Sequence, residues 1–216
     1  MNKLLYVIVA LVALAAGVFL FYTFNLAASP QPEHSLYYKQ PRTIKPFTLT
    51  DHHGQAFTNE QFKGKWSWVF FGYTSCPDVC PTTLQEFNFI YDELMQVSAD
   101  NQVLMVSVDP QRDTQSKLAQ YIKYFNNAFI ALNGDHSVLF PFARNMGLMY
   151  AITDDNYDDN NSGAYLVDHS ASIVLINPKG MITAIFKPAH IAGQLPTVAG
   201  SDMVSDFKKI VNIYNK

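Results

Sequence analysis

The chain has 216 residues, a formal net charge of −3, 49% hydrophobic and 14% aromatic content, and two cysteines. That length suits one domain with a full core plus an extension. The small charge, with no basic stripe interleaved with aromatics, excludes a nucleic-acid binder.

From Leu4 to Phe24 there is no charged residue. A bilayer core is crossed by about 20 such residues as a helix, whereas the apolar region of a signal peptide takes about 7–15. Ala27-Ala28-Ser29 offers a cleavage step, but Leu26 fills the −3 position, where a small residue is preferred. Residues 1–26 therefore read as an uncleaved, single-pass membrane anchor. Lys3 and the terminal amine precede the span, which favours an inside N-terminus. The domain would then face the periplasm, or an equivalent extracytoplasmic space, from the inner (cytoplasmic) membrane. Residues 27–46, rich in Pro, Ser and Gln, read as a tether, and 47–216 as the folded domain.

Within that domain, alternation on both sides of His52-His53-Gly54 predicts a hairpin from Phe47 to Phe57. Trp66 to Phe71 is apolar apart from Ser67, as expected of a strand covered on both faces. The next segment places Leu84, Phe87, Tyr91 and Leu94 on one helical stripe, with Asp78 as its expected N-cap. Gln102 to Val108 predicts a second buried strand, and Thr114 to Phe125 and Asp135 to Met146 predict two helices. Asp154 to Asn161 reads as an acidic loop. Ser172 to Ile176 and Ile182 to Phe186 flank an Asn-Pro-Lys-Gly turn, and Ser201 to Tyr214 closes the chain as a helix. Strands alternating with helices, then a hairpin and a helix, define a three-layer α/β arrangement with a mixed central sheet. The order is that of a thioredoxin-like fold.

Both cysteines fall in Tyr73-Thr-Ser-Cys76-Pro-Asp-Val-Cys80-Pro81, on the turn between the first buried strand and its helix. A helix start stabilises thiolates through its free amides and dipole. Cα atoms four apart on a helical turn lie about 6 Å apart, so the pair can also close as a disulfide. Three uses remain open from spacing alone: a structural disulfide, a redox pair and a metal site. A ring this small removes only about 2 kcal/mol of unfolded-state entropy, which weakens the structural reading. Structural zinc usually takes four protein ligands, whereas two thiolates favour a soft ion such as Cu(I).

A third ligand has to come from elsewhere. Of the six histidines, His169 immediately precedes a buried strand expected beside the cysteine-bearing one. In thioredoxin-like oxidoreductases the loop entering that strand usually carries a cis-proline. Here no proline lies between Pro141 and Pro178, and the loop holds His169. Asp109, in Val108-Asp-Pro110, reads first as a turn device and second as an auxiliary oxygen ligand.

Three segments together resemble the SCO/SenC family: Phe71-Gly-Tyr-Thr-Ser-Cys76-Pro-Asp-Val-Cys80-Pro-Thr-Thr-Leu84, Ser107-Val-Asp-Pro110 with Arg112-Asp-Thr114, and Val167-Asp-His169-Ser. The resemblance spans about Phe47 to Tyr214. It implies a copper metallochaperone that binds Cu(I) or Cu(II) through Cys76, Cys80 and His169. It further implies an upstream copper donor and delivery to the copper-A subunit of cytochrome c oxidase. The alternative function is a thiol-disulfide oxidoreductase that keeps the oxidase's copper-ligand cysteines reduced, using the Cys76–Cys80 disulfide. Only that alternative makes the protein an enzyme. Ser75 departs from the family pattern, where histidine is common before the first cysteine.

Overall fold

The computed structural model describes residues 2–26, 30–153 and 166–216, apart from positions 190, 192 and 194. The acidic loop expected at 154–161 lies outside the described residues, as does His190. The N-terminal apolar run forms helix α1 (Asn2–Leu26). Its stretch Lys3–Tyr22 is long and apolar enough to cross a membrane, and none of it is buried against the protein.

The centre of the domain is strand β4 (Trp66–Gly72), buried at every position. Its residues alternate between two cores, as a period-two backbone dictates. Val69 and Phe71 point to one side of the sheet, and Trp66, Trp68 and Phe70 to the other. The parallel neighbours β5 (Asn101–Ser107) and β6 (Ile130–Asn133) lie on one flank of β4. On the other, β9 (Ile173–Ile176) runs antiparallel to β4, and β10 (Met181–Phe186) antiparallel to β9. The expected hairpin is β2 (Thr48–Asp51) with β3 (Ala56–Thr58), which joins the sheet through β6. The eight-stranded order is β1-β10-β9-β4-β5-β6-β2-β3, where β1 is Ser35–Thr43.

Strand β1 corrects the sequence reading. Residues 27–46 were expected as tether, yet Ser35–Thr43 is part of the domain, antiparallel to β10. Its Pro, Gln and Lys content hides it, because an edge strand tolerates proline and charge. Asp206, fully buried in the last helix, fixes the strand's start. Its carboxylate accepts from the amides of Glu33 and His34, each at 2.9 Å, and from the Ser35 hydroxyl at 2.7 Å.

Helices α2 (Val79–Val97), α3 (Gln115–Phe125) and α5 (Gly200–Tyr214) pack on the Trp68 side of the sheet. Helix α4 (His136–Met146) covers the Phe71 side with the β2–β3 hairpin. The result is the expected three-layer α/β arrangement. Leu84, Phe87 and Leu94 are fully buried, and each such side chain contributes about 1.5–3 kcal/mol when removed from water. A separate two-stranded ribbon, β7 (Tyr150–Thr153) with β8 (Leu166–His169), carries the distal histidine back to the core.

Candidate metal centre

The end of β4 delivers the cysteines. Gly72 closes the strand where a Cβ would stand 3.0 Å from the Cys80 sulfur and 3.2 Å from the Phe70 ring. A larger residue would therefore displace the sulfur. Helix α2 begins at Val79, and Asp78 holds the N-cap position without a side-chain capping bond. The sequence assigned that bond to the Asp78 carboxylate. Instead the Cys76 sulfur accepts the Cys80 amide at 3.4 Å, so a thiolate does the capping.

From the far end of the chain, β8 brings His169 opposite Tyr150, and its Nε2 lies 3.4 Å from the Cys80 sulfur. The donor atoms of Cys76, Cys80 and His169 all fall within 4.8 Å of one another. Cys80 is buried, while Cys76 and His169 are half-buried, so one side of the cluster remains open. A cavity of about 450 Å³, lined by Tyr73, Cys76, Pro77, His169, Leu195 and Pro196 among others, opens onto that side.

The thiols have opposite proton affinities. Hydrogen bonding from the Cys80 thiol, helped by His169 and by the amides of Cys80 and Asp78, holds the Cys76 thiol down at about 4, against the opposing effect of burial. The same pairing, together with burial, pushes Cys80 up. In effect the pair shares one proton, with Cys76 as the thiolate. Two sulfurs and one imidazole nitrogen in this space can hold one soft metal ion, or the sulfurs can close on each other.

The other expected residues fall elsewhere. Asp109 is buried but stands outside the three-donor group, and its carboxylate is ion-paired with Arg112. Arg112 lies over the Tyr73 ring at 5.7 Å, and Tyr73 meets the His169 ring edge-on at 5.9 Å. Among the other described histidines, His52 accepts the Ala131 amide through Nδ1, the His53 ring lies tilted against that of His52, and His136 bonds the Tyr150 hydroxyl. His34 pairs with Asp202.

Sequence reasoning missed Asp113. Fully buried, it accepts from the Thr74 amide at 3.0 Å and from the hydroxyls of Thr74 and Ser107. This ties the cysteine turn to the end of β5. Lys117 stands 3.8 Å from Asp113 and donates to the Ser75 hydroxyl at 3.2 Å. The available signal was Asp113 itself, an acid placed just ahead of the Thr114 helix cap.

A thioredoxin-like domain bearing a thiol–thiol–imidazole cluster at its strand-to-helix turn defines a narrow class. The profile of the SCO1/SenC family matches residues 37–198, and the chain belongs to that family. A SCO2-like protein of Rickettsia prowazekii is 32% identical over 177 residues, covering 80% of this chain and 85% of its own. The human mitochondrial SCO1 homologue is 30% identical over 175 residues, covering 80% of this chain and 57% of the human one. Among solved structures, Arabidopsis thaliana ScoI with copper bound superposes with a TM-score of 0.68 at 28% identity, over 79% of this chain and 99% of that one.

Proposed function

We infer that this protein is a membrane-anchored copper carrier in which Cys76, Cys80 and His169 hold the ion. The observation that carries the reading is the convergence of those three donor atoms within 4.8 Å. Two thiolates with an imidazole form a soft donor set, which favours Cu(I) over harder ions. Similarity to a copper-bound plant ScoI supports the same cargo. Cu(II) would be held by the same three residues with a water or another oxygen donor added. Helix α1 serves as the anchor, and the domain faces the periplasm or an equivalent compartment. In this reading the recipient is the copper-A centre of cytochrome c oxidase, loaded by ligand exchange with that centre's cysteines, and the family resemblance supports that choice.

A second reading rests on the unequal thiols. The exposed side of Cys76 offers a thiolate that attacks a partner disulfide and releases one partner thiolate. Cys80 then attacks the mixed disulfide, leaving a Cys76–Cys80 disulfide and a reduced partner. Two electrons pass from this pair to the partner, and an external dithiol restores them.

One substitution separates the readings. His169→Ala in the reduced protein is expected to lower Cu(I) affinity by at least about tenfold, or ~1.4 kcal/mol. It would also remove nitrogen coupling from the Cu(II) EPR spectrum. An unchanged affinity and spectrum would sink the carrier reading. Retained reduction of partner cysteines by His169→Ala would favour the oxidoreductase.

A further inference from the structure

The register of the sheet relates the metal site to the membrane. Ser35 of β1 pairs with Phe186 of β10, Phe186 with Ile173 of β9, and Ile173 with Phe70 of β4. This row crosses the sheet at the end of β4 that leads into Cys76. The same end receives His169, which enters β9 through Ser170–Ser172. Three strand-to-strand steps at about 4.8 Å set the start of β1 roughly 14 Å from β4.

The start of β1 is also where the chain arrives from α1. Asp206 clamps Glu33, His34 and Ser35 through three hydrogen bonds, and Lys209 ties Glu33 at 2.9 Å. Helix α1 ends at Leu26, so only positions 27–32 separate it from the clamp. Six residues span at most about 20 Å even when fully extended.

The surface at this end is aliphatic. Leu36 beside the clamp is 48% exposed, Ile191 in the segment after β10 is 54%, and Leu195 at the mouth of the metal cavity is 45%. Lys187, the residue after β10, is also exposed. Aliphatic side chains together with a cation suit the headgroup boundary of a bilayer.

We propose that the metal-bearing end of the domain is its membrane-facing end, held there by the Asp206 clamp and a six-residue leash. Copper would then be exchanged only with partners whose thiolate or imidazole ligands lie within a few nanometres of the lipid surface. Ligands presented far out in the aqueous compartment would be out of reach. The proposal rests on the anchor role of α1 and not on the identity of the metal.

The two native cysteines make the test direct. The full chain carrying Cys80→Ser, labelled with a donor fluorophore at Cys76, is placed in vesicles with acceptor-labelled phospholipid headgroups. The comparator carries Cys76→Ser, Cys80→Ser and Lys179→Cys, which puts the donor on the β9–β10 turn at the opposite end of the sheet. The seven residues of β4 span about 22 Å, so transfer from position 76 is expected to exceed that from 179 by at least about twofold. Asp206→Ala, or a flexible Gly-Ser insertion between Pro30 and Gln31, is expected to erase most of that difference. Equal transfer from the two positions, or a larger signal from 179, overturns the proposal. Failure of the chain to float with vesicles would overturn it together with the anchor reading. Failure of the unlabelled native chain to bind copper, with unequal transfer intact in the labelled chains, would sink the copper reading alone and leave the orientation supported.

Discussion

At the residue scale, the most informative property is the division of labour between the two sulfurs. Cys76 accepts the Cys80 amide and is held as a thiolate, while Cys80 is buried and keeps its proton. A group whose folded pKa is depressed adds stability above its unfolded value, near 8.5 for a thiol, and loses it as pH falls through the folded value. Cys76 therefore contributes most to the apo fold above about pH 8.5, and this contribution declines steadily as the pH falls and is gone below about pH 4. Alkylation of the reduced apo protein by iodoacetamide is expected to report one fast thiol, with thiolate content nearly constant from pH 8 to about 5.5 and falling below. A reactivity midpoint near 8.5 would contradict the assignment. Cys76→Ser is expected to abolish the fast phase, because Cys80 remains buried.

At the scale of elements, the cysteine turn is held from outside by Asp113. Its carboxylate satisfies the Thr74 amide and two hydroxyls, so its loss would leave buried donors unpaired. Asp113→Ala is expected to cost about 2–4 kcal/mol, read as a shift of the urea midpoint. Lys117→Ala is expected to cost under about 1 kcal/mol, because that ammonium is 45% exposed and solvent screens its pair. A near-zero effect of Asp113→Ala would show that the turn keeps its shape unaided. Much of this level was legible beforehand. Strand β4, helices α2 to α5 and the β9–β10 hairpin follow from apolar periodicity. The cluster of Cys76, Cys80 and His169 follows from a turn and the strand entry beside it. Strand β6 was not legible, since Ile130–Asn133 is too short to show alternation. The Asp113 network also escaped, because a buried carboxylate has no signature apart from the partners that surround it.

For the molecule as a whole, the boundary between leash and domain decides what folds. Composition placed it at residue 47, whereas the hydrogen bonds to Asp206 place it at Glu33. Without β1 the backbone edge of β10 is bare and three acceptor bonds to a buried carboxylate are lost. A soluble form starting at residue 33 is expected to unfold in one transition. One starting at residue 47 is expected to lose several kcal/mol and to associate through the open edge. Equal stability of the two, measured by calorimetry and sedimentation, would mean that β1 is an ornament of the sheet.

The β7–β8 ribbon has a consequence of its own. It pairs only two strands and is held to the core through Tyr150 and Val167, fewer anchors than the central sheet has. Yet this ribbon supplies one of the three donors, whereas the β4–α2 turn supplies Cys76 and the first turn of α2 supplies Cys80. Ion capture would therefore act as a clasp between a firmly buried helix and a lightly held ribbon. Amide exchange in Leu166–His169 is expected to slow sharply on loading while the amides of β4 stay as they were. Cargo release would begin as a breathing motion of that ribbon, at the one joint where the ion can be let go without disturbing the core.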